Sequence, residues 1–259
     1  MKILKLKEKE HTIKVGNKCK YIDPNVTENC LLENNGEIIG FYIKDVKEYS
    51  KELISYLDIA NKEFRSERVP KSMMTRAAAL NGNPDEGVRQ YSTIIGSIPP
   101  KARMNRPYPN ISSVHRNKAA QTFIKAMWLA CIEGEKIIKL LTPKIYERQK
   151  EIFKGIKNEW RFGNLFTSSI SNFNISAPFH RDTGNIKGTV NIILTKRNNS
   201  KGGSLHVPDY DATFEQADNS MLVYPAWRNL HGVTPIIETR KGGYRNSLIF
   251  YPLNAFLNC

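Results

Sequence analysis

Apolar residues recur at two different periods along the chain, and the change falls near Phe162. Before it the helical period dominates. From Asp45 to Phe64 the apolar positions Val46, Tyr49, Leu53, Leu57 and Ala60 lie three or four apart, which predicts an amphipathic helix on the outside of a core. A second helix is predicted from a cap at Ser112 or Ser113 to about Leu141, with Ala119, Phe123, Met127, Ala130, Ile137 and Leu141 as its buried stripe. Met127 and Trp128 are expected in the core. Thr142-Pro143 opens a third helix, continued by Tyr146, Gln149 and Phe153, because proline suits the first helical position. Residues 1–43 instead alternate short apolar runs with polar turns such as Asn34-Asn35-Gly36, and Ile38–Ile43 reads as a strand that supports the core. Asn81-Gly82-Asn83-Pro84 marks a loop, while Pro99, Pro100, Pro107 and Pro109 exclude a long helix there.

From Phe162 onward short strand-like runs follow one another: Leu165–Asn174, Thr189–Leu194, Ser204–Val207, Met221–Tyr224, one opening at His231 and Tyr244–Tyr251. Gly202-Gly203 and Asp218-Asn219-Ser220 supply turns between them. The pattern predicts an α+β protein: an antiparallel barrel or jelly roll with the N-terminal helices packed on it. The expected division is an elaboration over residues 1–161, helical and basic with support strands, and a catalytic core over 162–259, integrated into one domain.

With 40% hydrophobic and 25% charged residues the 259-residue chain has an ordinary globular composition. Its formal net charge of +14 is not ordinary and points to a polyanionic partner. Gly87 to Ile132 contains no Asp or Glu but carries Arg89, Lys101, Arg103, Arg106, Arg116, Lys118 and Lys125, with His115, Tyr91 and Tyr108 among them. A phosphate-contacting arm beside an active site and a solvated basic loop both account for such a run. Cys19, Cys30, Cys131 and Cys259 have no CxxC spacing, so neither a zinc knuckle nor a dense disulfide framework is indicated. No apolar run reaches signal-peptide or membrane-spanning length.

Candidate chemistry concentrates in the strand-rich half. His180 and Asp182 form a His-x-Asp pair, and on an extended strand residues two apart leave the same face and can grip one ion. A non-haem ferrous oxygenase needs two imidazoles and one carboxylate on one face of the metal. His231, on a later strand, fits the third position; its rival His206 lacks a suitably spaced arginine on the following strand. Arg245 and Ser247 share a strand face, and a guanidinium fork beside a hydroxyl can hold a carboxylate, as the far end of 2-oxoglutarate requires. Arg240, the rival of Arg245, lies in the turn Thr239–Gly243. Asn174 and Asn191 are candidates to hydrogen-bond a substrate or the free carboxylate of the co-substrate. Trp227 and Phe179 flank ligand positions and are candidates to wall the pocket or stack on a base. From the basic segment Arg103, Arg106, His115 and Arg116, and from the core His206, are candidate substrate or DNA contacts.

The ordered set His180, Asp182, His231, Arg245 and Ser247, with Gly202-Gly203-Ser204-Leu205, resembles the 2-oxoglutarate- and iron-dependent dioxygenases of the double-stranded β-helix fold over roughly residues 162–254. The run His180-Arg181-Asp182-Thr183-Gly184-Asn185 and the basic helical region before it look most like the TET/JBP nucleobase oxygenases, in a bacteriophage member. The resemblance implies Fe(II) and 2-oxoglutarate as cofactors, with dioxygen as co-substrate. It implies hydroxylation of the 5-methyl group of a pyrimidine in DNA, 5-methylcytosine ahead of thymine, once the base is flipped from the stack. DNA is then the expected partner, with no membrane and no obligate protein partner, and the cytoplasm (of a bacterial host, for a phage protein) the expected location. Two other functions stay open: a 2-oxoglutarate-dependent hydroxylase of a protein side chain or small molecule, and a non-catalytic barrel that binds nucleic acid through its basic surface.

Overall fold

Asn35 and Gly36 hold φ of 52° and 80°, the left-handed conformation that a tight two-residue hairpin requires. Their turn joins β2 (Cys30–Asn34) to β3 (Glu37–Ile43) in antiparallel pairing, and β1 (Lys2–Lys5) lies parallel to β2 on its other side. The computed structural model describes residues 1–73, 90–101, 105–257 and 259. Arg89, Arg103 and the Asn81-Gly82-Asn83-Pro84 loop lie outside the described residues.

Side-chain caps divide two of the predicted helices. Asp45 caps one 3-10 turn, Val46–Glu48, and the α-helix proper, α1 (Lys51–Arg65), starts afresh at Ser50, whose hydroxyl accepts the Leu53 N–H at 3.0 Å. Ser112 and Asn117 likewise cap successive 3-10 turns, Ser113–Arg116 and Lys118–Ala120, before α2 (Gln121–Leu141). Ala119 of the predicted stripe is therefore exposed, and Ala120 is buried in its place. Trp128, expected in the core, is 46% exposed because it lies one residue round α2 from the buried stripe, where it borders a hollow with Gly96 and Ile111, whereas its neighbour Met127 is fully buried. α3 (Pro143–Phe153) begins at the predicted proline.

After α1 come β4 (Ser72–Met73), β5 (Tyr91–Ile98) and β6 (Asn110–Ile111), with β5 pairing both of the others. Past α3 the chain passes back and forth between two sheets through β7 (Ser168–Phe173), β8 (Ala177–His180), β9 (Asn191–Asn198), β10 (Ser200–Gly202), β11 (Leu205–Val207), β12 (Ala212–Phe214), β13 (Met221–Tyr224), β14 (His231–Val233), β15 (Ile236–Glu238) and β16 (Tyr244–Tyr251). The larger sheet runs β1-β2-β3-β13-β9-β16-β7-β5-β4, the second runs β12-β11-β14-β8, and β10 and β15 form a small ribbon. The core strands of the larger sheet pair antiparallel, so that β9 and β16 share seven partner residues.

Strand alternation then sorts chemistry onto faces. Ile192 and Leu194 on β9 and Leu248 and Phe250 on β16 turn toward α1 and α2, where they join Leu53, Leu57, Phe64, Phe123, Met127 and Ile138 in one buried cluster. Each such side chain contributes about 1.5–3 kcal/mol by leaving water. That layer anchors the sheet from behind, and its other face carries the polar residues Asn172, Asn191, Arg245 and Ser247 beside the apolar Ile170, Ile193 and Ile249. A second cluster, including Tyr42, Leu205, Phe214, Leu222 and Tyr224, fills the space between the sheets under β12 and β13. The space under β7, β9 and β16 stays open.

Candidate metal centre and its cavity

β8 and β14 are antiparallel and set His180 directly opposite His231, with ring centroids 4.4 Å apart. β8 ends at His180. Asp182 therefore does not project from the strand, as the alternation of side chains predicts; it lies beyond the strand end, where its N–H donates to the Ala226 carbonyl at 3.1 Å. The pair still converges, because the chain turns over the cavity there. Asp182 Oδ1 stands 3.6 Å from His180 Nε2 and 4.0 Å from His231 Nε2. One ligand atom from each of the three residues lies within 4.8 Å of the others. Three donors bound at about 2.1 Å on one face of an ion stand about 3 Å apart, so this is an open form of a facial set.

Backbone contacts turn the right atoms inward. Nδ1 of His180 lies 2.8 Å from the Pro178 carbonyl and Nδ1 of His231 lies 3.1 Å from the Asn229 carbonyl. A carbonyl only accepts, so each Nδ1 carries the proton and each Nε2 presents a lone pair to the cluster. Burial, with His180 adding to it, holds the His231 imidazolium below the usual histidine range, which favours the neutral ring that a metal needs. Asn191 Nδ2 donates to Asp182 Oδ2 at 3.2 Å, and Asn191 Oδ1 accepts from Asn185 Nδ2 at 2.9 Å. These two amides keep Oδ1 of Asp182 turned toward the histidines.

The cluster opens into a cavity of about 460 Å³ between the sheets. Its described wall includes Asn172, Asn185, Asn191, Gln216, Arg245, Ser247 and Tyr251, and Asp182 is the one carboxylate on it. Arg245 is 3% exposed. Among the described residues its guanidinium reaches only the Ile175 carbonyl, at 3.5 Å, and its Nε has no partner. Burial, and then the nearby Arg197, push Arg245 down to about 9. A buried cation without a protein anion fits a ligand that brings one. Ser247 stands beside it on the same strand face.

The remaining predicted residues sort differently. Asn174 is buried but does not wall the cavity; its Oδ1 accepts the Arg245 N–H at 2.9 Å and its own N–H donates to the Arg245 carbonyl, so it braces the arginine from outside. Asn191 does line the cavity, committed to Asp182 and Asn185. His206 is packed, Nδ1 against Thr213 Oγ1 at 2.8 Å and its ring edge-on to Phe179. Trp227 donates its Nε1–H to the Thr189 carbonyl at 2.8 Å and walls a neighbouring hollow that shares Thr183 and Asn185 with the main cavity. His115 accepts the Gly96 N–H at 2.8 Å, Arg106 donates to the Pro99 carbonyl at 2.9 Å, and Arg116 is exposed; none of the three walls the main cavity. Tyr91, counted with the basic segment, is buried and stacks on Phe173. Asn172, Tyr251 and Gln216 are among the wall residues that went unseen in sequence. Tyr251 follows from carrying the face of Arg245, Ser247 and Ile249 one step further, whereas Gln216 lies between strands, where no period marks it.

Fold and site together define an antiparallel β protein whose main cavity holds two histidines and one carboxylate, the donor set of non-haem iron(II) oxygenases. In fold the chain is similar to NgTET1 in complex with 5mC DNA: TM-score 0.59 and 14% identity, over 92% of this chain and 80% of that one. Other matches are an oxidoreductase of the 2OG-Fe(II) oxygenase family from Burkholderia pseudomallei (TM-score 0.43, 14% identity, 81% and 83% of the two chains) and OsALKBH1 (TM-score 0.38, 12%, 90% and 100%). No protein-family model and no curated protein sequence matches the chain. Among the described residues no helix is long and apolar enough to cross a membrane.

Proposed function

We propose that the protein is a 2-oxoglutarate- and iron(II)-dependent dioxygenase that hydroxylates the 5-methyl group of a pyrimidine in DNA, 5-methylcytosine ahead of thymine. The observation that carries this is the convergence, in one cavity, of a His-Asp-His cluster and a buried arginine with no acid of its own among the described residues. The core is read as a double-stranded β-helix over residues 162–259, supported by the interleaved strand orders β7-β16-β9-β13 and β8-β14-β11-β12. Residues 1–161 are then an elaboration, with β2, β3 and β5 widening the larger sheet.

His180 Nε2, Asp182 Oδ1 and His231 Nε2 would hold the iron, and Arg245 with Ser247 would hold the remote carboxylate of 2-oxoglutarate. When bound, the two supply oxidation of an unactivated C–H bond by dioxygen, with succinate and carbon dioxide as the co-products. The chain's own task is positioning. Asn185 and Asn191 fix the carboxylate of Asp182, Asn174 fixes the backbone of Arg245, and Ile170, Ile193 and Ile249 line the cavity with apolar surface.

DNA as the substrate is supported by the +14 net charge, by the acid-free segment from Gly87 to Ile132, and by the 5mC DNA bound to the structurally similar NgTET1. A base inside a duplex cannot enter a cavity between two sheets, so the target nucleotide must swing out while basic side chains hold its backbone. The test is incubation with iron(II), 2-oxoglutarate and 5-methylcytosine DNA, followed by mass spectrometry of the nucleosides. Oxidised 5-methylcytosine with succinate is the expected result. Succinate formed with a peptide or small molecule but never with methylated DNA would move the assignment to another hydroxylase, and salt-sensitive DNA binding without iron binding would leave a non-catalytic barrel.

A further inference from the structure

Gln216 is fully buried and forms part of the cavity wall. It sits between β12 and β13, where the Glu215 N–H donates to the Val26 carbonyl at 3.0 Å and pins the loop. Its Oε1 accepts the Thr195 hydroxyl at 2.7 Å. Its Nε2 has no hydrogen-bond partner among the described residues. Thr195 stands directly opposite Ser247 in the β9–β16 register, and Arg197 stands opposite Arg245. The Gln216 amide is therefore tied to the row of residues beside the arginine and serine.

Two buried N–H donors without partners among the described residues, Gln216 Nε2 and Arg245 Nε, thus sit on residues that wall one cavity, linked through the Thr195–Ser247 register. Buried donors are almost always matched, so an acceptor-rich group is missing from the protein's own inventory there. Among the described residues the wall offers no carboxylate except Asp182, which belongs to the metal cluster. A ligand carboxylate has two oxygens and room for about four hydrogen bonds. An arginine fork and one hydroxyl leave part of that capacity for an amide N–H.

We infer that Gln216 is a third donor to the remote carboxylate of the co-substrate, and that it helps the cavity select a 2-oxo dicarboxylate over a 2-oxo acid with an uncharged tail. This rests on the co-substrate assignment above. Gln216→Glu keeps the shape but turns the donor into a second anion facing the ligand, and Gln216→Met keeps the volume and removes the donor.

The experiment is calorimetric titration, under argon with Mn(II) as a redox-silent metal, of 2-oxoglutarate and of 2-oxobutyrate into wild type, both Gln216 variants and Arg245→Met. Gln216→Met should bind 2-oxoglutarate about ten- to a hundredfold more weakly, and Gln216→Glu more weakly still, while Mn(II) and 2-oxobutyrate affinities stay at the wild-type level. Retained Mn(II) binding shows that a variant is folded, and if Gln216→Glu does not fold, Gln216→Met decides alone. Wild-type affinity for 2-oxoglutarate in the Gln216 variants, with affinity lost in Arg245→Met, overturns the role of Gln216 alone. A wild-type protein that binds no 2-oxoglutarate overturns the co-substrate assignment and this inference with it.

Discussion

Arg197 on β9 stands directly opposite Arg245 on β16, so two guanidinium side chains leave neighbouring strands on the same face. Like charges in that relationship repel. Arg197 is half-buried and partly compensated: it donates to the Gly202 carbonyl, and Glu215 and Asp218 lie close enough to favour its charge. Arg245 is deeper and has no acid beside it among the described residues. The fold thus holds a cation that becomes fully compensated only when a ligand brings an anion to it.

Arg245→Met follows directly. Removing an uncompensated buried charge in favour of an apolar side chain of similar length should leave the ligand-free protein as stable as wild type, or about 1 kcal/mol more stable. Saturating 2-oxoglutarate at about a hundred times its Kd adds about 2.7 kcal/mol to wild type, a rise of roughly 5 °C or more in Tm, and should add nothing to the variant. Thermal unfolding with and without ligand measures both. A variant that unfolds early and still gains stability from 2-oxoglutarate would show that Arg245 is a packing residue.

The metal cluster separates two histidines that look alike in sequence. His180 has a side chain 40% exposed, so His180→Ala should change metal-free stability by less than about 1 kcal/mol while abolishing Mn(II) or Fe(II) binding. His206 is 4% exposed, bonded to Thr213 and outside the cluster. His206→Ala should therefore lose about 2 kcal/mol of stability and keep the metal. Mn(II) binding followed by electron paramagnetic resonance, beside thermal melts, reads the two effects separately. Metal loss in the His206 variant with retention in the His180 variant would reverse the assignment.

Sequence made legible what depends on period and chemistry. The alternation along Tyr244–Tyr251 places Arg245 and Ser247 on one face, and the turn residues Asn35-Gly36 and Gly202-Gly203 punctuate strands where they should. What it missed depends on long-range pairing. Asp182 lies beyond the end of β8, which local spacing cannot reveal, since the Ala226 carbonyl and the Asn191 amide, both from other segments, fix it there. Asn174 looks like a cavity residue by position, yet a φ of 53° turns it onto the backbone of Arg245. Gln216 walls the cavity while its Oε1 accepts the Thr195 hydroxyl, again a contact between segments with no periodic signature.

Gly203 shows how closely the arginine is packed. It holds φ of 65°, and an added Cβ would lie 2.9 Å from Arg245 Cδ and 2.8 Å from Ile236 Cγ1. Gly203→Ala should cost about 1–3 kcal/mol in stability through backbone strain and overpacking. Displacement of Arg245 should also weaken 2-oxoglutarate binding by about tenfold or more with the metal retained. Unchanged ligand affinity in a destabilised variant would show that the arginine shifts without losing its ligand contact.

Glu135, on α2, fixes the chain where it enters β7. It is 2% exposed, its Oε1 accepts the N–H groups of Asn164 and Leu165 at 2.7 and 2.9 Å, and its Oε2 accepts Asn164 Nδ2 at 2.7 Å. Burial raises its carboxyl above the usual range, against the opposing pull of those donors. A carboxyl raised in the folded state holds its proton more tightly there than in the unfolded chain. Its linked contribution to stability is therefore largest below the ordinary value of 4.5 and declines as pH rises from there through the folded value. Glu135→Gln puts an NH2 group where donors converge, so it should lose about 1–3 kcal/mol at every pH and remove that titration. The stability gap between wild type and Glu135→Gln, taken from denaturant unfolding between pH 4 and 8, should narrow with rising pH. A gap that widens instead would mean that the folded protein prefers the ionised carboxylate, with the three N–H donors outweighing burial.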